Sequence, residues 1–453
     1  MKSVFTQIIA LTLLSSTMVA CSGQMESAKT SGTTQVRIPW YKENEGYSLQ
    51  MVELTGLDSL YAVSGKFARF FFAPHINSDR LDGVTPKGRF LKIENGFVPA
   101  NDISLQMAAI YAYMQNFAAL DKELGAGDVN KWPRNVGVGV LINGGLTNNA
   151  FYDGQTDSML FVPYTDKKNL AIAVNAGILA HEHFHSLFHK IVVKPLMGTP
   201  AERFLRHSSN HDAASFYKLM GMDAPPTLPT QEDTATQEET DVVLLPPPPR
   251  KEEDTVFSRP TSRHEARVYG FYHLALSRGF NEGLADFWAW IYTGDPDFIT
   301  HSLPSVGNVR SLNAPANTFP NKQSVEFSMR EILSYSSQKE GRLIGYSYRL
   351  GTSVSRILKS YTDIYAKSRH LDSREARIEI GRMVIKALPE LRAGFLEASE
   401  NKSFLEPERF LRKVFSFTED MTTEEKEFIE KTLLSSPSEK PANPPSSVEA
   451  PQP

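Results

Sequence analysis

Residues 175–192 read NAGILAHEHFHSLFHKIV, and no other stretch limits the possible folds of this chain so strongly. The apolar residues recur at helical spacing, so a helix begins near Asn175 and its apolar composition calls for burial. Within it, His181-Glu182-His183-Phe184-His185 sets two histidines four residues apart, on one face. Two imidazoles buried in an apolar helix without a partner are costly, and a ligand role explains them. Neutral imidazoles at this spacing can grip one zinc ion. Glu182 projects beside them, where it can take a proton from water whose pKa the metal lowers to about 7.

A catalytic zinc takes three protein ligands and leaves one position open, so a third ligand is required. One arrangement places a Gly and a third His just after the motif, but those places hold Phe188 and Ile191. The other takes a Glu from a later helix, and Asn281-Glu282-Gly283-Leu284-Ala285-Asp286 fits it. Glu282 and Asp286, four apart, share a face, so the first can bind metal while the second accepts a hydrogen bond from a ligand histidine. Leu284, Phe287 and Trp288 around them speak against two exposed acids. His183 and His189 fall off the ligand face and read as packing or surface residues.

From Asp102 to Gly351 the sequence resembles the thermolysin and fungalysin peptidases of the gluzincin type. Thr147-Asn148-Asn149-Ala150-Phe151-Tyr152 is similar to that family's edge strand, which pairs with substrate backbone. The resemblance implies that Asn149 and Ala150 bind peptide. Val309-Arg310-Ser311 is similar to the family's Leu-Arg-Ser segment and implies that Arg310 holds the carbonyl after the scissile bond. The family's transition-state histidine should fall within 345–351, but GYSYRLG has none and aligns Ser347 there. A tyrosine hydroxyl, Tyr348 or Tyr346, can take over that role. Acid-rich calcium-binding stretches are not evident, so one zinc per chain and no structural calcium are expected.

The implied fold is α+β: a zincin-like domain over 100–434, with a mixed β/α lobe carrying the edge strand and site helix, then a mainly helical lobe. A helix from Asn101 or Asp102 to about Leu124, strands at Val136–Ile142 and Ser158–Pro163, and helical patterning at 264–293 and 345–434 fit this. Residues 36–99 read as a small β-rich region ahead of that domain. Residues 223–262, rich in Pro, Thr and Glu, and the tail 435–453 read as disordered.

At the start, Lys2, an apolar run from Val4 to Leu14 and Met18-Val19-Ala20-Cys21-Ser22 resemble a bacterial lipoprotein leader, with Cys21 lipidated and 21–35 a flexible tether. Cys21 is the only cysteine, so no internal disulfide can form. The expected setting is an exported protein held on the periplasmic or cell-surface side of a membrane. A net charge of -4 without a long basic run gives no reason to expect nucleic acid. These features point to a zinc peptidase acting on peptides or proteins, an endopeptidase by its edge strand. The rival reading keeps the fold as a binding or scaffold module, weakened by the missing histidine.

Overall fold

The computed structural model describes residues 32–76, 80–142, 146–205, 263–335 and 339–433. Cys21, the insertion at 223–262 and the tail at 435–453 lie outside them. The architecture is mixed α and β, with the strands in the N-terminal part and helices filling the C-terminal part.

Two five-stranded sheets form the first part. The first has the order β3-β2-β1-β7-β6, from β1 (Gly32–Lys42), β2 (Gly46–Ser59), β3 (Ser64–Gly65), β6 (Phe90–Ile93) and β7 (Gly96–Pro99). The second has the order β5-β4-β8-β10-β9, from β4 (Ala68–Ile76), β5 (Leu81–Val84), β8 (Arg134–Val138), β9 (Ala150–Asp153) and β10 (Ser158–Phe161). Strands β4, β8 and β10 run parallel, while β5 and β9 close the two edges antiparallel.

This arrangement revises two boundaries. Strand β1 begins at Gly32, so Gly32–Gln35 belong to a sheet and not to a tether. Residues 36–99 are not a separate unit either, because β4 pairs with β8 and shares the second sheet. The cause is the helix α1 (Asp102–Glu123), which is apolar on all sides from Met107 to Met114 and so needs a layer on each face. Val36, Ile38 and Leu54 of one sheet and Phe70, Val136 and Phe161 of the other join it in one core. Tyr111 on α1 donates its hydroxyl to the Thr55 and Gly56 carbonyls and ties the first sheet to it. Strand β8 stops at Val138, short of Ile142, because Gly139 turns the backbone to φ 64°.

The helical part is built on two 31-residue helices, α3 (Arg263–Thr293) and α6 (Lys339–Arg369). Between them come α4 (Pro304–Arg310) and α5 (Lys322–Ser334), and after them α7 (Ser373–Asn401), α8 (Arg409–Phe415) and α9 (Thr423–Leu433). The site helix α2 (Ala176–Phe188) is buried along its whole length against α3, β9 and α1. Where α3 crosses α6, Gly279 and Gly283 meet Gly351 so closely that a Cβ on Gly283 would lie 2.8 Å from the Gly351 Cα. Among the described residues no helix is long and apolar enough to cross a membrane.

Candidate metal centre

Asn175 caps α2, its side-chain oxygen accepting from the Gly177 and Ile178 amides. The same amide donates to the Phe298 carbonyl and to Ser302, so the start of the site helix is fixed to the segment that walls the cavity. From the first sheet, the Tyr47 hydroxyl accepts from the Ala176 amide at 2.8 Å. These bonds satisfy amides that a helix start leaves without partners and set the rotation of α2.

That rotation points His181, Glu182 and His185 into one buried spot, where one ligand atom from each lies within 4.8 Å of the others. Helix α3 faces them with Asn281, Glu282 and Asp286, all buried. The His185 Nδ1 lies 2.9 Å from Asn281 Oδ1, and the His181 Nδ1 lies 2.9 Å from Asp286 Oδ1. Both rings thus turn Nδ1 to an oxygen of α3 and Nε2 inward. The two Nε2 atoms face each other at 3.1 Å, a separation close to the ~3.3 Å between two imidazole ligands of one tetrahedral zinc.

Glu182, Glu282 and Asp286 are all buried, and the Arg310 guanidinium lies against Glu282 and Asp286. Burial pushes the His181 imidazole down, but its hydrogen bonds to Asp286 and Glu282 outweigh this and raise it to about 9. Burial raises the Glu182 carboxyl to about 8, with Glu282 adding to the rise and His181 opposing it. The Glu182 Oε2 is buried without a hydrogen-bond partner. A donor set of two imidazole nitrogens and carboxylate oxygen suits a metal ion of the zinc kind.

Two carboxylates compete for the third ligand position. Glu182 belongs to the tightest group, while Glu282 brings its oxygens 3.6 Å from His181 Nε2 and 3.9 Å from His185 Nε2. Glu282 approaches both ring nitrogens from the opposite helix.

A cavity opens over this group, lined by Asn149, Ala150, His181, Glu182, Glu282, Arg310 and Tyr348. Its far wall is apolar, from Ile172, Ile178, Phe298, Ile299, Leu303 and Val306. Ala150 opens the edge strand β9, whose Tyr152 amide also reaches the Glu182 carboxylate. Asn148, at φ 57°, is the turn residue before it: its Oδ1 accepts from the Thr165 amide at 2.6 Å, leaving Asn149 to face the cavity. Arg310 forks onto Asp286 with Nε at 3.1 Å and Nη2 at 2.6 Å, and its guanidinium carbon lies 5.0 Å from the centre of the Tyr348 ring. Burial lifts the Tyr348 hydroxyl well above its ordinary value, helped by Glu282, so it stays a proton donor.

The structure thus brings Asn149, Ala150, His181, Glu182, His185, Glu282, Asp286, Arg310 and Tyr348 together. Tyr346 does not join them. Its ring turns to Arg349 and Ser328, because two residues along a helix rotate a side chain by about 200°. Ser347 is buried with its hydroxyl donating to the Leu343 carbonyl. His183 is a packing residue with a role: its ring stacks on Phe117 and its Nε2 sits 2.9 Å from Asp121 on α1. Sequence reasoning assigned no role to Asn281, although its place beside Glu282 puts it opposite His185. It also missed the apolar wall at 298–306, which carries no motif. No protein-family model matches the chain, and no curated protein matches it either.

Proposed function

We propose that the chain is a zinc-dependent peptidase of the gluzincin type with a zincin-like fold, acting as an endopeptidase. The observation that carries the reading is the pair of inward-facing Nε2 atoms with buried carboxylates beside them, beneath a cavity bordered by a strand edge. His181, His185 and Glu282 would hold the zinc, and Asp286 and Asn281 would orient the two rings. When bound, the ion supplies Lewis acidity that makes water acidic and a carbonyl electrophilic.

The rest is the work of the chain itself. The edge of β9 offers backbone groups to an extended peptide, with Asn149 and Ala150 at the mouth. Glu182 Oε2, buried and without a partner, is the atom that takes the proton of the attacking water and returns it to the leaving amine. Burial raises its carboxyl, which favours its holding the proton between the two steps. The Arg310 nitrogen not used on Asp286 can donate to the carbonyl after the scissile bond. The Tyr348 hydroxyl stabilises the oxyanion of the tetrahedral species by donating a hydrogen bond.

The test compares zinc content and cleavage of an unstructured protein in wild type, Glu182→Gln and Glu282→Gln. The reading expects zinc in wild type and Glu182→Gln, little in Glu282→Gln, and cleavage in wild type alone. Zinc without cleavage in wild type would favour a binding module, and no zinc in any of the three would remove the site.

A further inference from the structure

We infer that Arg356 is a positioning residue for Arg310, which makes α6 the element that aims the substrate-binding guanidinium; this rests on the peptidase reading above. Helix α4 has only seven residues and ends at Arg310. The last carbonyls of a helix have no partner inside it, so a short terminal turn is free to fray unless donors reach it. Here the donors come from α6. Arg356 Nε donates to the Ser311 carbonyl at 2.8 Å and its Nη2 to the Val309 carbonyl at 3.1 Å. One planar fork therefore brackets Arg310, holding the peptide group just before its Cα and the carbonyl of the next residue, a geometry that a lysine cannot reproduce.

The other end of Arg310 is fixed by Asp286 and by the ring of Tyr348. Tyr348 and Arg356 are eight residues apart on the same helix, close to two full turns plus a fraction, and so present toward the same side. Helix α6 thus holds Arg310 at its backbone through Arg356 and at its head through Tyr348. Val309 itself is largely exposed, so the clamp shares the ordering of this turn with the Leu312 amide, which donates to the Pro296 carbonyl.

The experiment is a double-mutant cycle in the full chain. The kcat/KM for an unstructured protein substrate is measured for Arg356→Gln, Arg356→Lys, Arg310→Gln and the double Arg356→Gln/Arg310→Gln, with zinc content followed in each. Arg356→Gln is expected to lower kcat/KM about tenfold at unchanged zinc, a misplacement effect short of the ~100-fold that 1 Å can cause. Arg356→Lys recovers only part of the loss, and in the Arg310→Gln background the Arg356 change costs less than about twofold. A full tenfold loss in that background, or none in wild type, overturns the inference. If the wild-type chain cleaves nothing, the peptidase reading fails, and amide hydrogen exchange then decides the clamp. Faster exchange confined to residues 307–313 in Arg356→Gln upholds it, and unchanged or global exchange overturns it.

Discussion

Replacing Gly283 by alanine should damage the centre without touching any of its ligands. A Cβ at this position would stand 2.8 Å from both the Cα and the carbonyl carbon of Gly351, and closer still to its oxygen. Carbon atoms pack at about 3.5–4 Å, so α6 must back away from α3 by about 1 Å. Nothing flexible absorbs the clash, since the opposing atoms are backbone. Overpacking of this kind costs about 1–3 kcal/mol, and alanine's better helix propensity returns ~1 kcal/mol, leaving a net loss of about 0–2 kcal/mol. Glu282 precedes the clash and Tyr348 lies one turn before Gly351, so the same movement separates ligand and oxyanion donor, with an expected ~100-fold fall in kcat/KM. Gly270 is the control, because it lies on the same helix and a Cβ there would meet nothing within 4 Å, so alanine should stabilise by about 0.5–1 kcal/mol. Urea unfolding and kcat/KM measured on both variants check the reasoning. If both alanines stabilise alike, or Gly283→Ala keeps wild-type turnover, the crossing does not set the geometry.

Other outcomes follow from the same contacts. Asp286→Asn should weaken zinc binding by about 10- to 100-fold in a chelator competition, because His181 loses the carboxylate that orients it. Tyr348→Phe should lower kcat by about 100-fold or more, whereas Tyr346→Phe, whose ring turns away, should change it less than threefold. Cys21→Ser should move the chain from the membrane fraction to the soluble fraction if the leader is a lipoprotein leader. Burial depresses the His273 imidazole to about 3, and its Nδ1 donates to the Tyr269 carbonyl while its Nε2 accepts from the Leu405 amide. The folded state therefore refuses a proton that the unfolded chain takes near pH 6.5. Stability should be intact above pH 6.5 and fall by about 1 kcal/mol per unit towards pH 3, a slope that His273→Gln reduces in urea unfolding.

What the sequence made legible is what lies within one turn or one helix. The two histidines share a face because they are four apart, and Glu282 and Asp286 obey the same rule, so each half of the centre could be read from spacing alone. The start of α2 near Asn175 and the span of α1 were readable for similar local reasons. The boundary near residue 99 was not, because β4 is separated from its partner β8 by the whole of α1 and pairs with it only through the sheet. The choice between Tyr346 and Tyr348 was also closed to spacing, since it depends on the rotation of α6, and that is set by Gly279, Gly283 and Gly351.

Those glycines explain why so many charged groups can share the interior. Buried carboxylates are tolerable only when their partners are held at bonding distance, and a loose partner leaves a desolvated charge uncompensated. Close approach of α3 and α6 puts Arg310 and Tyr348 on the same carboxylates that face the histidines, so the packing contact and the electrostatic one are not separable. The two helices nevertheless divide the labour. Helix α3 carries Asn281, Glu282 and Asp286, which face the imidazoles, while α6 carries Tyr348, which lines the cavity, and Arg356, which bonds the Val309 and Ser311 carbonyls. Conservative changes along α6 that leave the glycine crossing alone should therefore alter kcat/KM at constant zinc occupancy, and changes along α3 should alter zinc occupancy first.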